Sequence, residues 1–313
     1  MRHEIRISVR DLVEFILRSG DIDNRKDVSG DPDAMQEGVR IHKKIQKSMP
    51  AGYHAEISLK ETFDYDDICL TVEGRADGIW EKEKDGQRAV IIDEIKSMYA
   101  NLSFIDNPKQ IHLAQAKCYA ALYAPETELE KIGVQLTYCD IDTEDIKRFR
   151  YSFRAEELRK WLKDLTDRYM VWARMDEEHR SARNESIRQL EFPYEYRPGQ
   201  KELAIDVYRA IKRERNLFIN APTGVGKTLS VLYPSIKAVG EELAGKIFYL
   251  TAKTVTATVA VDTFKLLACK GLDMRTVHIT AKEKACANGD FICNPDACPY
   301  ADGHFDRVND AVL

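Results

Sequence analysis

The sequence lacks any long apolar run. No stretch of about eighteen consecutive apolar residues occurs, so no membrane-spanning helix is predicted. The first residues, Met1–Arg6, also lack the apolar core of a signal peptide. We therefore expect a cytoplasmic protein with no membrane partner.

A large excess of one charge is absent as well. The net charge is −5, so a nucleic-acid partner has to be met by a local basic surface and by bound metal. With 44% hydrophobic and 32% charged residues, the composition excludes disordered and fibrous proteins. The length of 313 residues suits two domains.

No Cys-x-x-Cys pair occurs among the seven cysteines. We interpret the three scattered ones, Cys69, Cys118 and Cys139, as buried apolar side chains. The other four cluster towards the end of the sequence, at Cys269, Cys286, Cys293 and Cys298. In a cytosolic chain such a cluster indicates a metal site rather than disulfides.

Helix and strand patterns alternate in the first part of the chain. Apolar residues recur at helical spacing from about Asp31 to Met49, which predicts a helix. Short strand patterns follow, with a turn signal at Asp85-Gly86, and we predict that they pair as a mixed sheet. The predicted strands are 55–59, 68–72, 76–80, 89–96, 132–138 and 146–153, with helices at 108–123 and 155–180.

A polar linker is predicted at 181–191, and prolines and glycine follow it in Phe192–Gln200. We place a domain boundary there, which gives domains 1–190 and 191–313. Beyond it, strands alternate with helices, and this alternation predicts a parallel sheet. The predicted helices are 200–214, 227–239 and 254–268, and the predicted strands are 216–220, 246–250 and 276–280.

Two carboxylates and a lysine are predicted to converge in the first domain. Glu94 and Lys96 are two residues apart on one strand, so both side chains leave the same face, and Asp77 lies on the preceding strand. Carboxylates suit Mg²⁺ or Mn²⁺, and the lysine can hold a water or a phosphate. The same residues could instead form a solvated ion pair between strands.

The neighbouring motifs favour the metal site. In chain order they are Gly38-x-x-x-His42, Gly74–Ile79, Ile92–Lys96 and Gln115–Ala120. Over about residues 30–153 they resemble the PD-(D/E)XK nucleases of the RecB-like class. The resemblance implies a restriction-endonuclease-like mixed sheet flanked by helices.

This resemblance also implies roles for individual residues. His42, Asp77 and Glu94 would be ligands of Mg²⁺ or Mn²⁺. Lys96 would be the catalytic lysine. Gln115 and Tyr119, on a following helix, would support the substrate and the active site.

A loop of small residues ends in Gly226-Lys227-Thr228, between the apolar run Leu217–Ile219 and an apolar helix. Such a loop cradles phosphates, because its N–H groups turn inward while the lysine reaches the β and γ phosphates and the threonine hydroxyl binds Mg²⁺. The residues predicted to bind ATP here are Ala221, Pro222, Thr223, Gly224, Val225, Gly226, Lys227 and Thr228.

Two further motifs frame this loop. Arg197-Pro198-Gly199-Gln200 precedes it, and Leu250–Thr254 follows the next predicted strand. With the clustered cysteines they resemble the XPD/DinG helicases, which implies a partial RecA-like parallel α/β motor domain with a cysteine-rich insertion. By this resemblance Gln200 reads the adenine of ATP, and Lys253 and Thr254 contact single-stranded DNA.

The same resemblance implies an iron–sulfur module. Its [4Fe-4S] cluster would be held by Cys269, Cys286, Cys293 and Cys298, because thiolates are the usual ligands of such clusters. Zinc is the alternative, with His304 completing a site of three cysteines and one histidine.

Together the resemblances predict an ATP-dependent DNA helicase of the XPD/DinG type with a metal-dependent nuclease domain, acting on single-stranded or forked DNA in DNA processing or repair. No second acidic motif follows the phosphate loop, so we expect a fragment that binds ATP without turnover and needs the remainder of the motor. Two alternatives stay open. One is a nuclease whose partial motor only binds DNA, and the other is a nucleic-acid-binding or redox-responsive module without catalysis.

Overall fold

The computed structural model describes residues 3–24, 32–84, 87–126, 128–222, 224–252, 254–289 and 292–312. The chain forms two compact units, one of Met1–Trp172 with Cys286–Leu313 and one of Ala173–Ala285. The predicted division into domains at residue 190 stays a prediction. No helix in the described part of the chain combines the length and the apolar character needed to cross a bilayer.

The first unit is built on a mixed six-stranded sheet flanked by helices, in the order β1-β3-β4-β5-β6 with β2 paired to β3. Its strands are β1 His3–Ser8, β2 Tyr53–Asp64, β3 Ile68–Lys84, β4 Gln87–Met98, β5 Lys131–Asp140 and β6 Ile146–Arg154. Its helices are α1 Val9–Leu17, α2 Pro32–Ser48, α3 Gln110–Tyr123 and the first half of α4 Ala155–Gln189, with single 3₁₀ turns at Leu102–Phe104 and Ala124–Glu126.

The long strand β3 organises the sheet. It pairs antiparallel with β2 along most of its length, parallel with β1 from Ile68 to Glu73, and antiparallel with β4 from Gly78 onward. Strand β4 in turn pairs parallel with β5. Parallel and antiparallel neighbours therefore meet around the middle of β3, where Gly74–Asp77 lie between the β1 ladder and the β4 ladder.

The predicted mixed sheet is confirmed, with differences in its elements. The predicted strands 68–72 and 76–80 form one continuous strand, because Gly74 between them marks a close approach by the Tyr119 ring of α3 and not a break. Strand β1 and helix α1 were not predicted from the sequence. The predicted Asp85-Gly86 turn lies outside the described residues.

The predicted linker 181–191 is wrong over most of its length, because α4 continues to Gln189. Most of its charged residues lie on the solvated face of the helix, where Glu185 pairs with Arg188 at i, i+3. On the other face Ile187 is buried in the core of the second unit. A run of charges was therefore one side of an amphipathic helix.

The second unit consists of the end of α4 with α5 Gln200–Lys212, α6 Lys227–Gly240, α7 Thr254–Cys269 and α8 Lys282–Ala285. These helices occur where they were predicted, apart from the short α8. Its core is formed mainly by Ile187, Ile236, Val239 and Leu267.

The three strands predicted in this unit are wrong, since its described residues form no ladder. The segments Leu217–Ile219, Phe248–Leu250 and Val277–Ile279 instead leave large apolar side chains exposed. A parallel RecA-like sheet is therefore not formed by the described residues.

The segment that carries the last three cysteines belongs to the first unit. It ends in helix α9, His304–Val312. The N–H of Asn24 donates to the carbonyl of Cys293 at 2.7 Å, and the N–H of Phe305 donates to that of Gly20 at 2.9 Å. The guanidinium of Arg18 also lies over the Phe305 ring. These contacts tie the segment to the chain that follows α1.

Candidate functional site

The site in the first unit begins where β3 and β4 separate. Their antiparallel ladder ends at the pair Gly78 and Asp93. Beyond this pair, the N–H of Ile95 on β4 donates to the carboxylate of Asp77 at 2.7 Å. A backbone donor thus replaces the missing ladder bond and fixes Asp77 beside Glu94.

Strand alternation separates the acidic residues of β4. Glu94 accepts from Lys96 Nζ at 2.8 Å, on the face of the sheet covered by α3. Asp93 points to the other face, where Thr137 Oγ1 donates to it at 2.7 Å and Tyr53 Oη at 3.2 Å. The structure therefore brings together Asp77, Glu94 and Lys96, and it gives Asp93 a network of its own.

Helix α2 brings the predicted imidazole to this group. Its residues Ile41 and Ile45 pack on Ile95, and this places His42 Nδ1 3.7 Å from Asp77 Oδ1. Gly38, one turn earlier, lets the helix approach Ser97 closely, because a Cβ there would lie 3.0 Å from its hydroxyl oxygen. The predicted His42 and Asp77 are thus neighbours.

Burial dominates the electrostatics of the two carboxylates. Desolvation raises the pKa of Asp77, although His42 and the Ile95 N–H act against it. Desolvation raises the pKa of Glu94 to about 7, the charge of Asp77 adds to the rise, and Lys96 only partly offsets it. Burial therefore makes it costly to ionise both carboxylates, and Lys96 offsets only part of that cost for Glu94.

The predicted residues of α3 face the same site. Gln115 is buried, and its Oε1 has no hydrogen-bond partner within the described part of the chain. Tyr119, one turn later, packs on Gly74, and burial together with the charges of Glu94 and Asp77 raises the pKa of its hydroxyl. A buried acceptor without a partner is costly, so the Gln115 oxygen would gain from one more donor or a cation beside it.

Sequence reasoning missed His112 and Tyr138. Tyr138 is the register partner of Lys96 on β5, and its hydroxyl lies 2.9 Å from His112 Nδ1. Burial, with the charges of Lys96 and Lys109, lowers the pKa of His112 to about 3, so the ring is neutral at pH 7. His112 precedes Gln115 by three residues, and this helical spacing was the signal that could have found it.

One imidazole and two carboxylates are donors that Mg²⁺ or Mn²⁺ accept. The Gln115 oxygen without a hydrogen-bond partner in the described part of the chain, and two buried carboxylates that are costly to ionise without a cation, also fit a metal ion at this position. The described side chains are not gathered into a group of three or more His, Cys, Asp or Glu arranged to hold a metal ion. The predicted ligands His42, Asp77 and Glu94 are therefore adjacent without forming a closed coordination shell.

The same finding applies to the cysteines. Cys269 ends α7 in the second unit, whereas Cys286, Cys293 and Cys298 belong to the first. Neither these thiols nor His304 form a metal-binding group within the described residues. The predicted [4Fe-4S] cluster and its zinc alternative are not supported.

In the second unit the phosphate loop leads into α6. Gly226 has a left-handed backbone (φ 78°), and no side chain caps the helix. The first N–H groups of α6 therefore stay open to an anion, as helix N-termini do at phosphate sites. Lys227 Nζ donates to the carbonyls of Ala221 at 2.9 Å and Pro222 at 2.6 Å. Its ammonium has to exchange these carbonyls for phosphate when nucleotide binds.

The motif before the loop lies against it. Gln200 is buried, and its amide nitrogen would be 2.6 Å from a Cβ on Gly226, so any side chain at position 226 would have to displace it. Its Oε1 accepts from the Arg197 N–H at 3.0 Å. Arg197, whose contact was not predicted, donates from its guanidinium to the Gly224 carbonyl.

Several predicted residues are placed only in part. Gly224, Val225 and Thr228 occupy the loop and the first turn of α6. Thr223 and Lys253 lie outside the described residues, and only the backbone of Thr254, at the start of α7, is described. The predicted DNA contacts of Lys253 and Thr254 therefore stay predictions.

Comparison with known proteins finds similarities in the later part of the chain. Residues 197–297, less than half of the chain, match the DEAD/DEAH box helicase family. A 46-residue segment is 50% identical to the probable ATP-dependent helicase MJ0942 of Methanocaldococcus jannaschii, and it covers 14% of this chain and 7% of that protein. This part of the chain is helicase-like, and the match implies the use of ATP and Mg²⁺.

Among solved structures, the crystal structure of SSO0001 is similar to this chain with a TM-score of 0.35 and 18% sequence identity. The similarity covers 53% of this chain and 77% of SSO0001. At this level it does not bear on the fold or the function.

Proposed function

We propose that the chain belongs to a nuclease–helicase, in which a RecB-like metal-dependent nuclease unit is joined to part of an XPD/DinG-type DNA helicase that binds ATP. The substrate would be DNA, single-stranded or forked. The observation that carries the nuclease is the convergence of Asp77, buried Glu94 and Lys96 Nζ, 2.8 Å from Glu94, on one side of the β4 strand. The helicase-family match at 197–297 supports the second half of the proposal.

The chain's own residues suggest a division of labour in phosphodiester hydrolysis. Lys96, oriented by Glu94, has protons to donate to a phosphate oxygen or to the attacking water. The buried Gln115 oxygen has a free acceptor site with which to orient that water. His42, Asp77 and Glu94 would hold Mg²⁺ or Mn²⁺, which when bound supplies positive charge and a more acidic water.

Cleavage of labelled single-stranded DNA by the purified chain tests the nuclease. We expect cutting that needs Mg²⁺ or Mn²⁺, and Lys96→Ala should reduce its rate by at least about 100-fold, as the loss of a catalytic donor does in other enzymes. Lys227→Ala is the matched control, since it removes a lysine from the other unit and should leave cutting unchanged. Equal loss in both variants, or full activity in Lys96→Ala, would refute the proposal.

Nucleotide binding is tested separately. A fluorescent ATP analogue should bind the wild type in the presence of Mg²⁺, and Lys227→Ala should weaken binding while Lys96→Ala should not. Because no second acidic motif follows the loop in the sequence, we expect binding without appreciable hydrolysis by this polypeptide. DNA-stimulated ATP hydrolysis at ordinary motor rates would contradict that expectation.

A further inference from the structure

A groove in the second unit combines basic and aromatic side chains. It is lined by α5, by the second half of α6 and by the end of α4, and its volume is about 630 Å³. Its lining has five basic residues, Arg188, Lys201, Arg209, Lys212 and Lys237, against the single acidic side chain of Glu241. None of these residues belongs to the phosphate loop or to the candidate nuclease site.

Helix α5 gives the groove its longest wall. Lys201, Ile205, Tyr208, Arg209 and Lys212 follow one another at spacings of four, three, one and three residues. Such spacings keep all five on one side of a helix. At 1.5 Å per residue the stripe from Lys201 to Lys212 is roughly 16 Å long.

The cations of this stripe are available to a ligand. The ammonium groups of Lys201 and Lys212 have no ion-pair partner within the described residues, and both side chains are exposed. Arg209 has a carboxylate, that of Asp206, only at 3.9 Å, and both side chains are more than half exposed, so this pair is weak. A positive stripe stands out on a chain whose net charge is −5.

Aromatic rings lie between the cations. Tyr196 is 38% exposed and stacks on Phe192 with a ring separation of 4.0 Å, so its ring is held in place while part of it faces solvent. Tyr208 donates its hydroxyl to Glu241, and this bond orients its ring too. Ile205, 39% exposed, extends the apolar surface between them.

We infer that this groove binds single-stranded nucleic acid, with Lys201, Arg209 and Lys212 contacting phosphates and Tyr196 and Tyr208 offering their rings to bases. Alternating cations and fixed aromatic faces suit a strand whose charged backbone and flat bases repeat together. An acidic peptide would use the cations and leave the rings unused. The inference deepens the proposed function, on which it rests, because it gives the DNA a binding surface on the helicase-like unit.

The test measures the binding of a fluorescein-labelled oligothymidylate to the full chain by fluorescence anisotropy. EDTA is present so that no cutting occurs. The double variant Lys201→Glu, Lys212→Glu should bind at least about tenfold more weakly, and the slope of log affinity against log salt should fall by about 1.4, because two phosphate contacts are lost. Lys246→Glu, Lys270→Glu is the matched control. Both of its lysines are exposed residues of the same unit outside the groove, so its affinity should stay within twofold of the wild type.

A second measurement identifies the surface directly. Photocrosslinking with a 4-thiothymidine oligonucleotide should modify peptides that contain Tyr196 or Tyr208. Wild-type affinity in the Lys201→Glu, Lys212→Glu variant, or crosslinks confined to other peptides, would overturn the inference. So would polyglutamate that competes as well as the oligonucleotide, since this would mark a site for an acidic protein partner.

These outcomes are independent of the nuclease proposal. Cutting that depends on Lys96, together with unchanged binding in the groove variant, would support the nuclease proposal and refute the binding role of the groove. Weakened binding in the groove variant of a chain that never cuts DNA would support the groove and refute the nuclease.

Discussion

Segments with the apolar pattern of a strand are buried in the first unit and exposed in the second. In the first unit Ile92 lies in the middle of β4, between two ladder partners, and is 0% exposed. In the second unit Phe218 lies in an equally apolar segment and is 95% exposed. Leu250 and Val277, in the other two predicted strands, are similarly open to solvent.

The difference shows what an apolar pattern does and does not determine. It identifies the residues that gain from burial, but a strand also needs neighbours that accept its hydrogen bonds and cover its side chains. In the first unit β3 and β5 supply both for β4. In the second unit the core forms between helices, through Ile236 of α6 and Leu267 of α7, and the apolar segments take no part in a ladder.

The largest expected effect contrasts these two positions. Ile92→Ala should lower the free energy of unfolding of the first unit by about 4 kcal/mol, because it removes a fully buried side chain and leaves a cavity. Phe218→Ala should change stability by less than about 0.5 kcal/mol, because little surface is buried there.

Tryptophan fluorescence in urea measures the first change, since Trp80, Trp161 and Trp172 all lie in the first unit. Hydrogen exchange of α6 and α7 peptides measures the second. A cost of several kcal/mol at Phe218 would mean that its segment is packed in solution, and the contrast between the units would be broken.

Two glycines, one in each unit, differ in how closely other atoms approach them. A Cβ on Gly78 would lie 1.8 Å from Tyr53 Oη, the group that donates to buried Asp93. Gly78→Ala should therefore displace the tyrosine and cost about 3 kcal/mol. Gly245→Ala, in the second unit, meets no atom within 4 Å and should be nearly neutral.

The cause of the Gly78 effect can be checked by a double-mutant cycle in urea. Tyr53→Ala removes the obstructing ring, so Gly78→Ala should cost little in that background. If the two costs simply add, the clash is not the cause.

Local rules predicted part of the candidate site. Alternation along β4 placed Glu94 and Lys96 on one face, an inference that needs only one element and its period. The roles of Gln115 and Tyr119 came instead from the resemblance to RecB-like nucleases. The strands β2 to β6 of the first unit were predicted from their own patterns in the same way, but the register between them was not.

Inferences that depend on the register between elements far apart in the sequence were out of reach. Tyr138 meets Lys96 only because β5 pairs with β4 in one register, and His112 meets Tyr138 only because α3 covers that face. In the same way, no local pattern in Leu217–Ile219 shows whether a partner strand is present. Whether such an apolar segment becomes a strand depends on tertiary pairing, and the local pattern of a single sequence does not predict that pairing.

A smaller effect depends on pH and belongs to the first unit alone. The pKa of Glu94 is raised from 4.5 to about 7 in the folded chain, so the stability associated with its proton is complete below about pH 4.5 and is lost as the pH rises through 7. Glu94→Gln cannot ionise. In EDTA at pH 8 the free energy of unfolding of Glu94→Gln should therefore be about 2 kcal/mol higher than that of the wild type. Each unit of the pKa shift corresponds to about 1.4 kcal/mol, and the loss of the ion pair with Lys96 offsets part of the gain.

The same two proteins should be nearly equal at pH 5, where Glu94 is already protonated in the wild type. Urea titrations followed by tryptophan fluorescence at both pH values test this. Glu83→Gln, an exposed change on the neighbouring strand, is the control and should show no such difference. Parallel pH dependence in wild type and Glu94→Gln would show that the burial of Glu94 is not the source.

The smallest effect compares the starts of two helices. Ser8 Oγ accepts from the Asp11 N–H at 3.0 Å and caps α1, whereas α6 starts at Gly226 without a side-chain cap. Ser8→Ala should cost about 1 kcal/mol in the first unit, and Ser8→Thr should restore most of it, because threonine also offers an acceptor. Adding MgATP should slow hydrogen exchange in the first turn of α6 and leave the cost of Ser8→Ala unchanged, since only the uncapped helix has N–H groups left for a phosphate. If MgATP instead leaves α6 exchange unaltered while the analogue binds, the phosphates are held by other groups and the open start of α6 has no part in nucleotide binding.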